Sequence, residues 1–106
     1  MAIQIVQSNE KLVYKAEDSK IFYRRISTLK RGAIVKKNTK RGKTDWNKTT
    51  SDILAYVITG WENVQQAGQD IPFDSDLIVK LPEDTLTDIL ELSGGANPDI
   101  EDMEKN

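Results

Sequence analysis

Neither cysteine nor histidine occurs anywhere in the 106 residues. Without thiols there are no disulfides, no thiolate metal sites and nothing that marks an oxidising compartment. Without imidazole, a Ser-His-Asp or Cys-His nucleophile is impossible, and so is imidazole-bound zinc. Carboxylates are plentiful, but isolated acids are usually a solvated surface, and no Lys or Tyr base has a partner at a readable spacing. The expectation is a protein that is not an enzyme and holds no cofactor or metal. No apolar run approaches the length needed to cross a bilayer. The opening Met1-Ala2-Ile3-Gln4-Ile5 lacks the basic-then-apolar layout of a signal peptide, which leaves the cytosol as the default compartment.

What remains is an ordinary soluble composition, 38% hydrophobic and 30% charged, long enough for one domain with a modest core. The net charge of -2 hides a sharp polarity. Residues 1–53 carry 13 Lys/Arg against 5 Asp/Glu, and residues 54–106 carry 2 against 12. Such an asymmetry bears on association and steering rather than on fold.

Read along the chain, the first quarter alternates with period two. Ile3 and Ile5, then Leu12, Tyr14 and Ala16, then Ile21-Phe22-Tyr23 predict two or three antiparallel strands near 2–7, 11–16 and 20–26. Ser27 or Thr28 is placed to cap a helix bearing Leu29, Ile34 and Val35 and ending near Asn38, with Gly32 weakening its middle. Residues 38–44 read as a polar, basic loop, and Asp45 as the next N-cap. Trp46, Ile53, Leu54, Val57, Ile58 and Trp61 then recur on one broad face of a helix over 46–62. A polar loop over 63–70 follows, in which Gly68 permits the turn. Pro72 holds the chain extended, Asp74 caps a short helix with Leu77, Ile78 and Leu81, and Phe73 sits at the staple position to pack on Leu77 or Ile78. Pro82, followed by Glu83 and Asp84, opens a last helix with Leu86, Ile89, Leu90 and Leu92 as its stripe, and Ser93-Gly94-Gly95 stops it. The expected fold is therefore α+β: a small N-terminal antiparallel hairpin or three-stranded sheet, then three to four helices. Residues 1–93 make a single domain, and 94–106 a flexible acidic tail with little to bury.

Three features compete for function. The stretch 20–48 holds eleven Lys/Arg against Asp45 alone, which makes a nucleic-acid-binding regulator one reading and a site for an acidic protein partner another. Within it, Lys40-Arg41-Gly42-Lys43-Thr44 lacks the glycine five residues upstream that a phosphate loop requires, because position 37 is Lys37. Trp46 and Trp61 lie fifteen apart, about four turns of one helix face, and suit either core packing or a partner surface. Gly60, Trp61, Gly68, Pro72, Phe73 and Asp74 form a structural constellation that contains no nucleophile, base or ligand.

The run ILAYVITGWENVQQAGQDIPFDSDLIVKLPEDTLTDILE resembles the core of the phage tail assembly chaperones of siphophages and related prophages. In that family an apolar helix ends in Val-x-Gly-Trp-x-x-Val, a short loop with a glycine follows, then Ile/Val-Pro-Phe, a polar cap and two helices. The matching positions are Val57, Gly60, Trp61, Val64, Gly68, Ile71, Pro72, Phe73 and Asp74. FYRRIS at 22–27 and TKRGKTDW at 39–46 also look like the family's first half, and the likeness spans roughly 20–92. It implies a morphogenesis factor that binds the tape measure protein, keeps it soluble, helps recruit major tail protein subunits, works as a homo-oligomer in the host bacterial cytoplasm, and is absent from the mature virion. It also implies, for many such phages, a longer frameshifted product. The candidate contacts are Arg24, Arg25, Trp46 and Trp61. The alternatives are the nucleic-acid regulator and a structural tail or connector subunit.

Overall fold

The structure is a computed structural model that describes Ala2 and residues 11–96. The first expected strand and the acidic stretch from Asn97 onward fall outside the described residues. Two short strands, β1 (Leu12–Ala16) and β2 (Ser19–Tyr23), form a hairpin in which Glu17 takes a positive φ of 55°. Leu12, Tyr14 and Ala16 are half-buried while Val13 and Lys15 face out, as period-two alternation dictates. The strand expected over 20–26 stops at Tyr23. Beyond it, the Arg24 amide donates to the Val57 carbonyl (2.8 Å) and the Ile26 amide to the Ser93 carbonyl (2.9 Å), which turns the chain under the helices.

Helix α1 (Thr28–Lys37) starts where its cap predicts: the Ser27 hydroxyl accepts from the Lys30 amide at 3.1 Å. It buries Ile34, but Leu29, expected on its apolar face, is 87% exposed. The basic loop is in fact a minimal hairpin, β3 (Thr39–Lys40) with β4 (Lys43–Thr44), turning on Arg41 and Gly42, both at positive φ. Asp45 caps α2 (Trp46–Val57) through the Lys48 amide at 3.1 Å.

The helix expected to run to residue 62 ends at Val57, and Ile58–Glu62 is strand β5, paired antiparallel with β2. Ile21 stands opposite Trp61 and Phe22 opposite Gly60, with a register shift between Phe22 and Tyr23. A β-carbon at Gly60 would lie 3.5 Å from the Phe22 ring, an ordinary van der Waals contact. The three-stranded sheet has order β1-β2-β5. The 63–70 loop contains a second minimal hairpin, β6 (Gln65–Gln66) with β7 (Gln69–Asp70). Ala67 (φ 54°) and Gly68 (φ 80°) form its turn.

The short helix is a 3₁₀ turn, Ser75–Lys80, capped by Asp74, whose carboxylate accepts from the Asp76 amide at 2.9 Å. Helix α3 (Glu83–Ser93) ends on Gly94 in the left-handed conformation. Its Ile89 is buried, but Leu92 is 53% exposed and lies off the stripe. Residues 94–96, assigned by sequence to the acidic segment, are tied down. The Gly95 amide donates to the Leu90 carbonyl at 2.8 Å, and Gly95 itself is buried. One core unites the sheet and the helices, built from Ile21, Tyr23, Ile26, Ile34, Ile53, Leu54, Val57, Ile58, Trp61, Ile78 and Ile89. The architecture is α+β.

Candidate functional site

Trp61 sits where β5 meets the β6–β7 hairpin. The indole Nε1 donates to the Ile71 carbonyl at 3.0 Å, and the Ile71 amide donates to the Val64 carbonyl at 2.9 Å. Gln65 Nε2 donates to the Asp70 carboxylate at 2.9 Å across the hairpin. These bonds hold the hairpin over one side of the indole and leave a cup of about 170 Å³. Trp61, Val64, Ile71, Leu77, Leu81 and Pro82 line it, with Lys80 among the polar residues at the site. A void of roughly this size accepts a benzene-sized apolar group. Val79, on the same 3₁₀ turn as Leu77, is 55% exposed.

Phe73, just before the Asp74 cap, is 37% exposed and makes a T-shaped pair with Trp61, with ring centroids 5.0 Å apart and planes at 83°. Trp61 draws the ring because an aromatic edge prefers an aromatic face. Pro72 is exposed beside it.

The expected Trp46/Trp61 stripe does not exist. Trp61 is a core residue on a strand, while Trp46 begins α2 and lines a different groove against α1. Arg24 and Arg25 also separate. The Arg24 Nε donates to the Tyr56 carbonyl at 2.8 Å and its guanidinium lies 3.8 Å from the Tyr56 ring centroid. Arg24 thus caps the end of α2 and covers Tyr56, with Lys30 also over that ring at 5.1 Å. Arg25 is exposed.

The basic half gathers around the β3–β4 hairpin. Lys37, Lys40, Lys43 and Lys48 line an open cleft of about 470 Å³ together with Asn38. Its organiser is a pair that sequence reading passed over. Buried Asn38 donates through Nδ2 to Asp52 at 3.0 Å, and Lys37 (3.5 Å) and Lys48 (3.9 Å) flank the same carboxylate. The Asn38 hydrogen bond, helped by the two lysines and opposed by burial, holds Asp52 below the usual carboxylate range. The Lys48/Asp52 spacing of four on a helix was the available signal.

Among the described residues, no three carboxylates cluster closely enough to hold a cation, and no helix is long and apolar enough to cross a membrane. Compared with protein-family models, with curated proteins and with solved structures, the chain matches none.

Proposed function

We propose that this chain is a phage tail assembly chaperone that binds apolar helical segments of a tape measure protein through the cup beside Trp61. The observation that carries the reading is that residues of the run bearing the resemblance, 53–91, line an apolar cup sized for one large side chain. Phe73 and Val79 stand exposed near it. An amphipathic helix docks in this way, with anchors inserted in pockets and its charged face left in water. The chaperone keeps its client soluble by covering such anchors, acts as a homo-oligomer in the host bacterial cytoplasm, hands the client to major tail protein subunits, and leaves before the virion matures.

Co-expression with the long helical tape measure protein of the same phage tests this. The client becomes soluble and co-purifies, and Val79→Glu, a change at an exposed position, lowers recovery without lowering the melting temperature. A client equally insoluble with and without the chain overturns the reading. Mass spectrometry of purified particles distinguishes a chaperone, which is absent, from a structural subunit, which is present.

The lysine cleft favours a second reading, a small nucleic-acid-binding regulator. DNA retention that falls steeply with salt, and weakens in a Lys40→Glu/Lys43→Glu variant, would support it.

A further inference from the structure

Among the described residues, the large hydrophobic side chains left exposed are Val13, Leu29, Phe73, Val79 and Leu92. Phe73 pairs with Trp61, and Val79 shares the 3₁₀ turn that lines the cup, so both belong to the site already described. Val13 has Phe22 as its cross-strand neighbour. Leu92 follows Glu91 and lies one helical turn beyond Asp88. Leu29 is the barest of the set, 87% exposed on α1.

Its setting makes it a knob. The helical neighbours three and four residues on are Gly32 and Ala33, both exposed, and a methyl group added at Gly32 would meet no atom within 4 Å. No tall side chain at those positions shields the leucine. The charge around it has one sign. Helix α1 reads TLKRGAIVKK, which has four bases and no acid, and exposed Arg25 stands four residues before Leu29.

The cup beside Trp61 is the reverse in shape and in charge. Asp70 accepts from Gln65 of its lining, Asp76 precedes Leu77, and Glu83 and Asp84 follow Pro82; all four acids are exposed. Lys80 is the only base in residues 54–96, against eight acids. A leucine side chain, with four carbons, is smaller than the benzene-sized group that a void of about 170 Å³ accepts.

We propose that the cup of one chain receives Leu29 of a second copy, with the bases of α1 and Arg25 facing the acids around the cup. Charge complementarity selects this occupant, because one chain carries both the basic knob and the acid-ringed cup. The lysine cleft around β3–β4 has the same sign as α1, but no apolar side chain lines it, so it has nothing to insert. Knob and cup belong to different elements, which makes the contact heterologous. The inference rests on the cup of the chaperone reading and gives that reading's homo-oligomer an interface, in which a client anchor competes with Leu29. Its test uses the chain alone, so its failure leaves the chaperone reading standing.

Sedimentation velocity over a concentration series at low salt reads the association. The chain self-associates reversibly, and high salt weakens the contact because exposed charges are then screened. Leu29→Ala weakens it by roughly tenfold or more, the effect of withdrawing a leucine side chain from an apolar site, without lowering the melting temperature. A charge exchange tests the pairing itself. Arg25→Glu/Lys36→Glu makes the knob acidic, and Asp76→Lys/Glu83→Lys makes the ring basic, all at exposed positions. Each variant alone stays monomeric, and an equimolar mixture associates. A parent chain that is monomeric at every concentration overturns the proposal and leaves the cup to a foreign partner. Association that Leu29→Ala does not move, or a variant mixture that stays monomeric, overturns it as well.

Discussion

The Phe73 ring meets Trp61 edge to face at 5.0 Å, so an aromatic just before a helical cap is held by a residue of the sheet. Phe73→Ala removes this contact from a partly exposed site and should cost about 1–2 kcal/mol. Trp61→Ala empties a core position and should cost about 3–5 kcal/mol. Urea denaturation of both variants checks the order. A Phe73→Ala loss equal to that of Trp61→Ala would contradict the observed exposure.

Two glycines should respond oppositely to alanine. At Gly95 the new methyl would sit 2.6 Å from Ile53 Cγ2 and 3.2 Å from Leu90 Cδ2, so the end of α3 must shift. The expected cost is about 1–3 kcal/mol. At Gly32, mid-helix and unobstructed, alanine should instead stabilise by up to about 1 kcal/mol. Thermal melts of the two variants should move in opposite directions.

Ala67 is the non-glycine half of a turn that needs positive φ at both central residues. Asparagine tolerates that region better, so Ala67→Asn should stabilise by some tenths of a kcal/mol to about 1 kcal/mol. An unchanged or lowered denaturation midpoint would show that the hairpin does not carry this strain.

Acid should act through Asp52. Its carboxyl titrates below its unfolded value, first because Asn38 donates to it and then because Lys37 and Lys48 are near. Its stabilisation is present above the unfolded value near 4 and disappears as pH falls through the lower folded value. Asp52→Ala should therefore cost about 1–3 kcal/mol at neutral pH, since Asn38 is left buried without its partner, and the gap to the parent should narrow in acid. Stability measured against pH for the pair decides it.

Base should act through Tyr14. Its hydroxyl donates to Asp88 at 2.7 Å, and that bond, followed by burial and the Asp88 charge, raises its titration above the usual tyrosine value. The contribution is complete below about pH 10 and is lost as pH rises through the folded value. Tyr14→Phe should cost about 1 kcal/mol at neutral pH and nothing in strong base. Tyrosinate absorbance of the folded chain should appear later than in a free peptide.

Much of the fold was legible because its signals are local. Ser27, Asp45 and Asp74 each cap the element that their type and position predict, and Gly94 ends α3 as a terminal glycine should. The failures are non-local. Ile58 and Trp61 continue the helical period of α2, yet the edge of β2 requires a partner and Ile58–Glu62 supplies it. The β-branched pair Val57-Ile58, with Thr59 and Gly60 after it, was a sign that the period could not weigh. Leu29 is hydrophobic and still turns outward, because Ile34 decides which face of α1 is buried. The Trp61 cup was half visible: Trp61, Val64 and Ile71 stood among the positions carrying the resemblance, but only strand pairing aims the indole at Ile71. Asn38 and Asp52 were missed because their link spans fourteen residues and joins two elements.

The central strand β2 binds a neighbour across a tight turn on one side and, on the other, a strand that arrives only after α1 and α2. Both helices lie inside the loop that the β2–β5 pairing closes. Freeing the Phe22 and Gly60 amides, which face each other across the β2–β5 ladder, therefore requires the enclosed helices to come loose as well. Those protons should exchange with deuterium only at the rate of whole-chain opening, while the Gln66 and Gln69 amides of the outlying hairpin exchange orders of magnitude sooner.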